Sequence, residues 1–181
     1  MTYVIIGIII IAILLVIICY NALVKLKNSV EKNFSNMDVY LKKRWDLIPN
    51  LINTVKGYTK HEEEILTKIT NLRKKNYNTM SDEEKITNNE KLTDKINNIF
   101  AIAEAYPELK ANQNFIELSR QLVKIEEDIS CARIIYNESV TNLNNKISMF
   151  PSSIIASIFR FKKRKLYEIT NKERQNIKVE F

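Results

Sequence analysis

The sequence is short of breakers, histidine and cysteine. Two glycines and three prolines in 181 residues leave few places for tight turns, which argues against a β-sandwich or barrel and for long helices. A single histidine, His61, excludes a site built on two imidazoles. Two cysteines, Cys19 and Cys131, exclude a disulfide framework and any zinc centre made from cysteines alone. Gly7 and Gly57 stand too far apart for a phosphate-cradling loop of the GxGxxG or GxxxxGK[ST] kind. The composition therefore removes most familiar enzyme classes, and no cofactor or metal is implied.

Charge is missing from residues 1–24, and what fills that gap decides the location. Every residue from Val4 to Cys19 except Gly7 is apolar, and Tyr3 and Tyr20 bracket the run as aromatic rings bracket a span at the two membrane interfaces. The 18 residues from Tyr3 to Tyr20 make a helix of roughly 27 Å at about 1.5 Å per residue, against a hydrocarbon core of about 30 Å. A buried helix of a water-soluble protein rarely opens a chain with so long an unbroken run. A cleaved signal peptide would need a basic start and a small-x-small site, and Ile17-Ile18-Cys19-Tyr20-Asn21 offers none. The run reads as an uncleaved anchor. Lys25, Lys27, Lys32, Lys42, Lys43 and Arg44 follow it, so the positive-inside rule predicts an outside N-terminus and a cytoplasmic remainder.

Beyond the anchor the period is helical. Leu23, Leu26, Val30, Phe34, Met37, Leu41, Trp45, Ile48, Ile52 and Val55 recur at steps of three or four, one apolar stripe on one long helix. Pro49 should kink or restart it, with Asp46 as N-cap, and Gly57 is a second weak point that permits close helix approach. With Ile65, Ile69 and Leu72 the stripe reaches about residue 75. Asn76–Met80 reads as a turn, and Ser81-Asp82-Glu83-Glu84 as a capping box. Leu92, Ile96, Ile99, Ala103 and Tyr106 mark a second helix that stops at Pro107. Asn114 suits the cap of a third, whose stripe runs from Phe115 through Leu122, Ile129, Tyr136 and Leu143 to Ile147. Each helix is apolar on one face, so the fold class is all-α: a single transmembrane helix followed by an antiparallel bundle of three to four long helices. The same spacing also suits a coiled coil between chains, which leaves a homo-oligomer open. The domains follow as an anchor at 1–21, a bundle at 22–159 and a basic tail at 160–181.

Residues 25–44 carry six basic and two acidic groups, and residues 160–181 eight basic and three acidic. Arg160, Lys162, Lys163, Arg164 and Lys165, with Phe159 and Phe161 adding apolar contact, suit an anionic membrane surface; a solvated tail is the plain alternative. Nucleic acid is not expected, because no recognised binding module accompanies the charge.

Several segments together resemble the LemA family. They are Tyr20-Asn21-Ala22-Leu23-Val24-Lys25-Leu26-Lys27; Asp46-Leu47-Ile48-Pro49-Asn50-Leu51; Val55-Lys56-Gly57-Tyr58 with His61-Glu62; Glu104-Ala105-Tyr106-Pro107-Glu108-Leu109-Lys110; Ala132-Arg133 with Tyr136-Asn137; and Phe150-Pro151-Ser152. The resemblance implies a bacterial single-span membrane protein with a cytoplasmic helical bundle, and it brings no catalytic residues. Asp46, Asn50, Tyr58, His61 and Glu62 are the candidates for a polar contact site.

Enzyme chemistry finds no arrangement in the residues. His61-Glu62-Glu63-Glu64 fails the di-iron Glu-x-x-His pattern because residue 58 is Tyr, and fails HExxH because residue 65 is Ile. The expected function is a non-enzymatic, membrane-anchored adaptor or scaffold for other membrane proteins. The alternatives are membrane remodelling through self-assembly with lipid contact by the tail, or a subunit of a membrane-associated hydrolase.

Overall fold

Apolar residues at steps of three and four, with almost no breakers, give the longest element of the chain. In the computed structural model, which describes residues 1–58 and 63–167, helix α1 runs unbroken from Thr2 to Lys56. It is followed by α2 (Glu63–Leu72), a 3₁₀ turn at Tyr77–Thr79, α3 (Asp82–Ala105), the single turn α4 (Pro107–Lys110), α5 (Gln113–Ser148) and α6 (Ser152–Ile158). The architecture is all-α, a long apolar helix leading into a packed bundle.

The apolar start of α1 is bare: the side chains from Tyr3 to Ile18 are exposed apart from half-buried Gly7, and burial begins at Cys19. This stretch is long and apolar enough to cross a membrane. From Leu23 onward only one face is covered, and Leu23, Val30, Phe34, Met37, Leu41, Trp45, Ile48, Ile52 and Val55 are all buried. The stripe read from the sequence is buried apart from Leu26, which is half-buried.

The contacts fall into two compact units, and α1 and α5 contribute to both. One unit holds residues 1–36 and 132–167. In it Phe34 meets Tyr136 edge to face at 5.8 Å between ring centres, and Ile147 packs against the cluster around Cys19 and Leu23. Eleven residues forward on α1 thus match eleven back on α5, which makes the pair antiparallel. The other unit, residues 37–131 among those described, buries Leu66 and Ile69 of α2, Leu92, Ile96, Ile99 and Ala103 of α3, and Phe115, Leu122 and Ile129 of α5 with the second half of the α1 stripe. Phe100 and Phe115 close it at 6.3 Å.

The helix ends correct four readings of the sequence. Pro49 lies inside α1 and does not restart it. Its missing N–H and ring clash cost about 3 kcal/mol, and buried Trp45, Ile48, Leu51 and Ile52 around it hold the helix together. Asp46 is therefore a mid-helix residue, not an N-cap, and pairs with Lys42 one turn earlier at 2.5 Å. The cap of α5 is Asn112 rather than Asn114: its Oδ1 accepts from the Phe115 N–H at 3.0 Å. Gly57 ends α1 in a turn closed by Tyr58 N–H on the Val55 carbonyl at 2.9 Å. A Cβ there would meet only its own helix, at Thr54 O 3.5 Å away among the described residues, so no close helix approach demands glycine. The capping box at Ser81 and Glu84 is present with both bonds, 3.3 and 2.9 Å. Pro107 occupies the first turn of α4, and α3 stops at Ala105.

Ile129 is buried in mid-α5 while Glu127 is exposed. Ile129→Ala should lower unfolding stability by about 2–5 kcal/mol, and Glu127→Ala should change it by less than about 0.5 kcal/mol. Thermal or urea unfolding of the two variants checks the helical phase, and equal losses would contradict it.

Candidate functional site

An arginine breaks the apolar face of α1. Arg44 lies between Leu41 and Ile48 on the stripe and is 1% exposed. A guanidinium cannot be buried without partners, and its neighbours supply them. It donates to the Asn89 carbonyl at 3.0 Å, to Thr93 Oγ1 and to Glu126 Oε2. One side chain of α1 thereby ties α3 and α5, and Arg44 forms the floor of a cleft of about 310 Å³ walled by Thr93, Ile96, Phe100, Leu122 and Val123. The walls are mostly apolar and the charge at the floor is already engaged. The cleft suits an inserted apolar side chain better than it suits catalysis.

A second polar cluster fixes the turn between α2 and α3. The Tyr77 hydroxyl donates to Asp38 Oδ1 on α1, and Lys85 Nζ donates to Asp38 Oδ2 at 2.7 Å. Lys85 Nζ also lies 4.9 Å from the Tyr77 ring centre, and Trp45 packs on that ring at 5.4 Å. Burial first, then the hydrogen bond to Asp38, push the Tyr77 phenol far above its ordinary pKa of 10.0. At the start of α3, the hydrogen bond from Lys75, followed by that from the Ser81 N–H, holds the Glu84 carboxyl below the usual range.

The third arrangement is a pair of amide clamps on α5. Asn137 donates Nδ2 to the Tyr167 carbonyl at 2.9 Å and accepts the Tyr167 N–H on Oδ1 at 2.8 Å. Asn144 does the same to Arg164, at 2.8 and 2.9 Å. Seven residues of helix span about 10.5 Å, and three residues of extended chain span about 10 Å. The match lets one helix face bind the backbone of residues 164–167 at two points. Tyr136 adds a hydrogen bond to the Lys165 carbonyl at 3.2 Å, and Arg133 stacks on the buried Tyr167 ring at 5.4 Å.

Among the described residues, Asp46, Asn50 and Tyr58 each have a different partner. Asp46 is exposed beside Lys42. Asn50 is exposed, its carbonyl accepting from Thr54 Oγ1 at 2.9 Å. Half-buried Tyr58 accepts on its hydroxyl from Asn112 Nδ2 at 2.8 Å, a link between the end of α1 and the cap of α5. His61 and Glu62 lie outside the described residues. Arg160, Lys162, Lys163, Arg164 and Lys165 are all exposed. Among the described residues no group of three His, Cys, Asp or Glu could hold a metal ion. The sequence reading passed over Arg44, Asn89, Tyr77, Asn137 and Asn144. A charged residue in phase with an apolar stripe was the one available signal, and it pointed to Arg44.

Comparison with known proteins agrees with the resembling segments from Asp46 onward, while residues 20–27 precede the matched residues. The family model described as the LemA family matches residues 33–181. Among curated proteins, Protein LemA of Metamycoplasma hominis (strain ATCC 23114 / DSM 25592 / NBRC 14850 / NCTC 10111 / PG21) is 27% identical over 137 residues, which cover 75% of this chain and 63% of that relative. The match thus spans less than two thirds of the relative's length.

Three variants test the clusters. Arg44→Ala should lower stability by about 3–5 kcal/mol, and the double variant Arg44→Met/Glu126→Leu should recover most of that loss, because apolar side chains replace a buried guanidinium and its partly exposed carboxylate partner at little cost. Denaturant unfolding compares the two; an equally unstable double variant would mean that the charges themselves hold the cleft. Tyr77→Phe should cost about 1.5–3 kcal/mol at neutral pH, the value of a hydrogen bond to a charged group. Because the folded pKa of Tyr77 lies above the unfolded one, its contribution is complete below pH 10.0 and fades as pH rises further. Urea titrations should show the gap between wild type and variant narrowing only on the alkaline side.

Proposed function

The chain belongs to the LemA family, and from that premise we propose that it is a non-enzymatic membrane adaptor whose bundle recruits other membrane proteins at the cytoplasmic face. The observation that carries the reading is the continuity of α1, which passes from a bare apolar span into the buried stripe within one helix, Thr2–Lys56. Confinement to the membrane plane raises the effective concentration of the bundle toward partners in the same bilayer, so weak contacts suffice. The apolar cleft above Arg44, with half-exposed Val123 on its wall, supplies a place where a partner's apolar side chain can seat. The exposed Lys25, Lys27 and Lys32 just past the span support a cytoplasmic bundle. Cys131, free and exposed, suits a reducing compartment.

Two measurements test the proposal. A protease added to intact cells should leave a C-terminal tag uncut; cutting would reverse the orientation. A photocrosslinking amino acid at Val123 should give a discrete heterologous adduct in native membranes. Adducts only between copies of this chain would replace recruitment with self-assembly.

A further inference from the structure

We propose that α6 is an interfacial helix, embedded at the surface of an anionic bilayer beside the point where α1 leaves it, and that Arg160, Lys162 and Lys163 engage the lipid headgroups there. The sequence reading had no helix after Pro151. Here Ser152–Ile158 forms one, pinned by the Ser152 hydroxyl, which donates to the Lys146 and Met149 carbonyls at 2.6 and 2.8 Å.

The helix has two apolar faces, and only one is covered. Ile155 and Ala156 are buried against Cys19 and Leu23 of α1, with Ile147 and Phe161 packed around them. Those α1 residues are the first buried ones after the bare span, so α6 lies at the level where the span ends. On its other face Ile154 is 52% exposed, Ile158 66% and Phe159 50%; Met149 and Phe150, just before the helix, are barer still on average at 60% and 80%. Phe159 also meets Tyr20, the interfacial tyrosine of the span, at 4.7 Å. An apolar patch continuous with a membrane span has one solvent that fits it, the bilayer itself.

Charge follows directly. Arg160 closes α6 with a φ of 57°, which turns the chain, and the exposed Lys162 and Lys163 come next. Phe161 is turned into the core beside Tyr20 at 5.9 Å and is not free to insert. The chain then runs back along α5, where the amide clamps hold Arg164 and Tyr167. Arg164 reaches Glu31 at 3.9 Å, and Glu31 is eleven residues past Tyr20, about 16 Å along a helix. That exceeds a Debye length of about 8 Å at physiological salt. Headgroup contact therefore belongs to Arg160, Lys162 and Lys163, while Arg164 and Lys165 face water.

The test uses the full chain in liposomes of phosphatidylcholine with phosphatidylglycerol. Single tryptophans are placed at Ile154→Trp, Ile158→Trp or Lys165→Trp in a Trp45→Phe background, all exposed sites apart from Trp45, with folding checked by circular dichroism. Shallow brominated lipid should quench the tryptophans at 154 and 158 and blue-shift them, and should leave the one at 165 unquenched. Spin-labelled phosphatidylglycerol should quench position 158 more than spin-labelled phosphatidylcholine does. Arg160→Asn/Lys162→Gln/Lys163→Gln should reduce that preference at least about fivefold, and Arg164→Gln/Lys165→Gln should leave it unchanged. Water-like emission without bromine quenching at both 154 and 158 would overturn the proposal. A blue shift without bromine quenching, lost on dilution to one copy per vesicle, would also overturn it by assigning the face to a second copy. Equal loss of preference in the two charge variants would overturn the assignment of headgroup contact to the first three residues.

Discussion

The bare apolar run at the start of α1 constrains everything after it. From Tyr3 to Ile18 the large apolar side chains are left bare among the described residues, and a bilayer removes such a surface from water. Because the same helix continues to Lys56, its orientation in the membrane sets the direction in which the buried stripe begins. The change from apolar on all sides to apolar on one side happens between Cys19 and Leu23. That is also where α6 packs. Membrane exit and the first protein core coincide.

Past that point apolar stripes supply most of the favourable free energy, but they do not fix register well, since a helix can slide by a turn and still bury leucines and isoleucines. The polar contacts do fix it. In one unit Asn137 and Asn144 bind backbone at a spacing that only one alignment satisfies. In the other, Arg44 with Glu126 and Asn112 with Tyr58 join α1 to α5 at defined heights. Such bonds contribute only about 1 kcal/mol net when neutral and about 1.5–3 when charged, yet a slipped alignment would leave buried donors unsatisfied at added cost. In this molecule the polar residues specify, and the apolar ones stabilise.

That division explains what was legible in the sequence. Stripes are periodic, so Leu23 to Val55, Leu92 to Ala103 and Phe115 to Ile147 could be read directly. The capping box was legible because both of its bonds are local. Of the two readings of Pro49, a kink or a restart, the structure sets aside only the restart, because propensity is local while the packing of Trp45 and Ile52 is not. The Asn112 cap was missed by two residues, since the neighbouring Asn114 offers the same chemistry. Arg44 with Glu126, Tyr77 with Asp38, and the asparagine clamps join residues 20 to 82 positions apart, and no local pattern announces such pairs. Of the five polar candidates, the described three have separate partners: Asp46 and Asn50 within α1, and Tyr58 at Asn112, the cap of α5.

The proposed adaptor role needs transmission from the span into the following stripe without a flexible joint, and α1 is one continuous helix from Thr2 to Lys56. Hydrogen exchange of the full chain in lipid nanodiscs tests this most directly. The account predicts uninterrupted protection of the α1 amides from the span through Val55, with no fast-exchanging gap between Tyr20 and Val30. Rapid exchange in that interval would make the span a tether joined by a hinge, and would contradict the account.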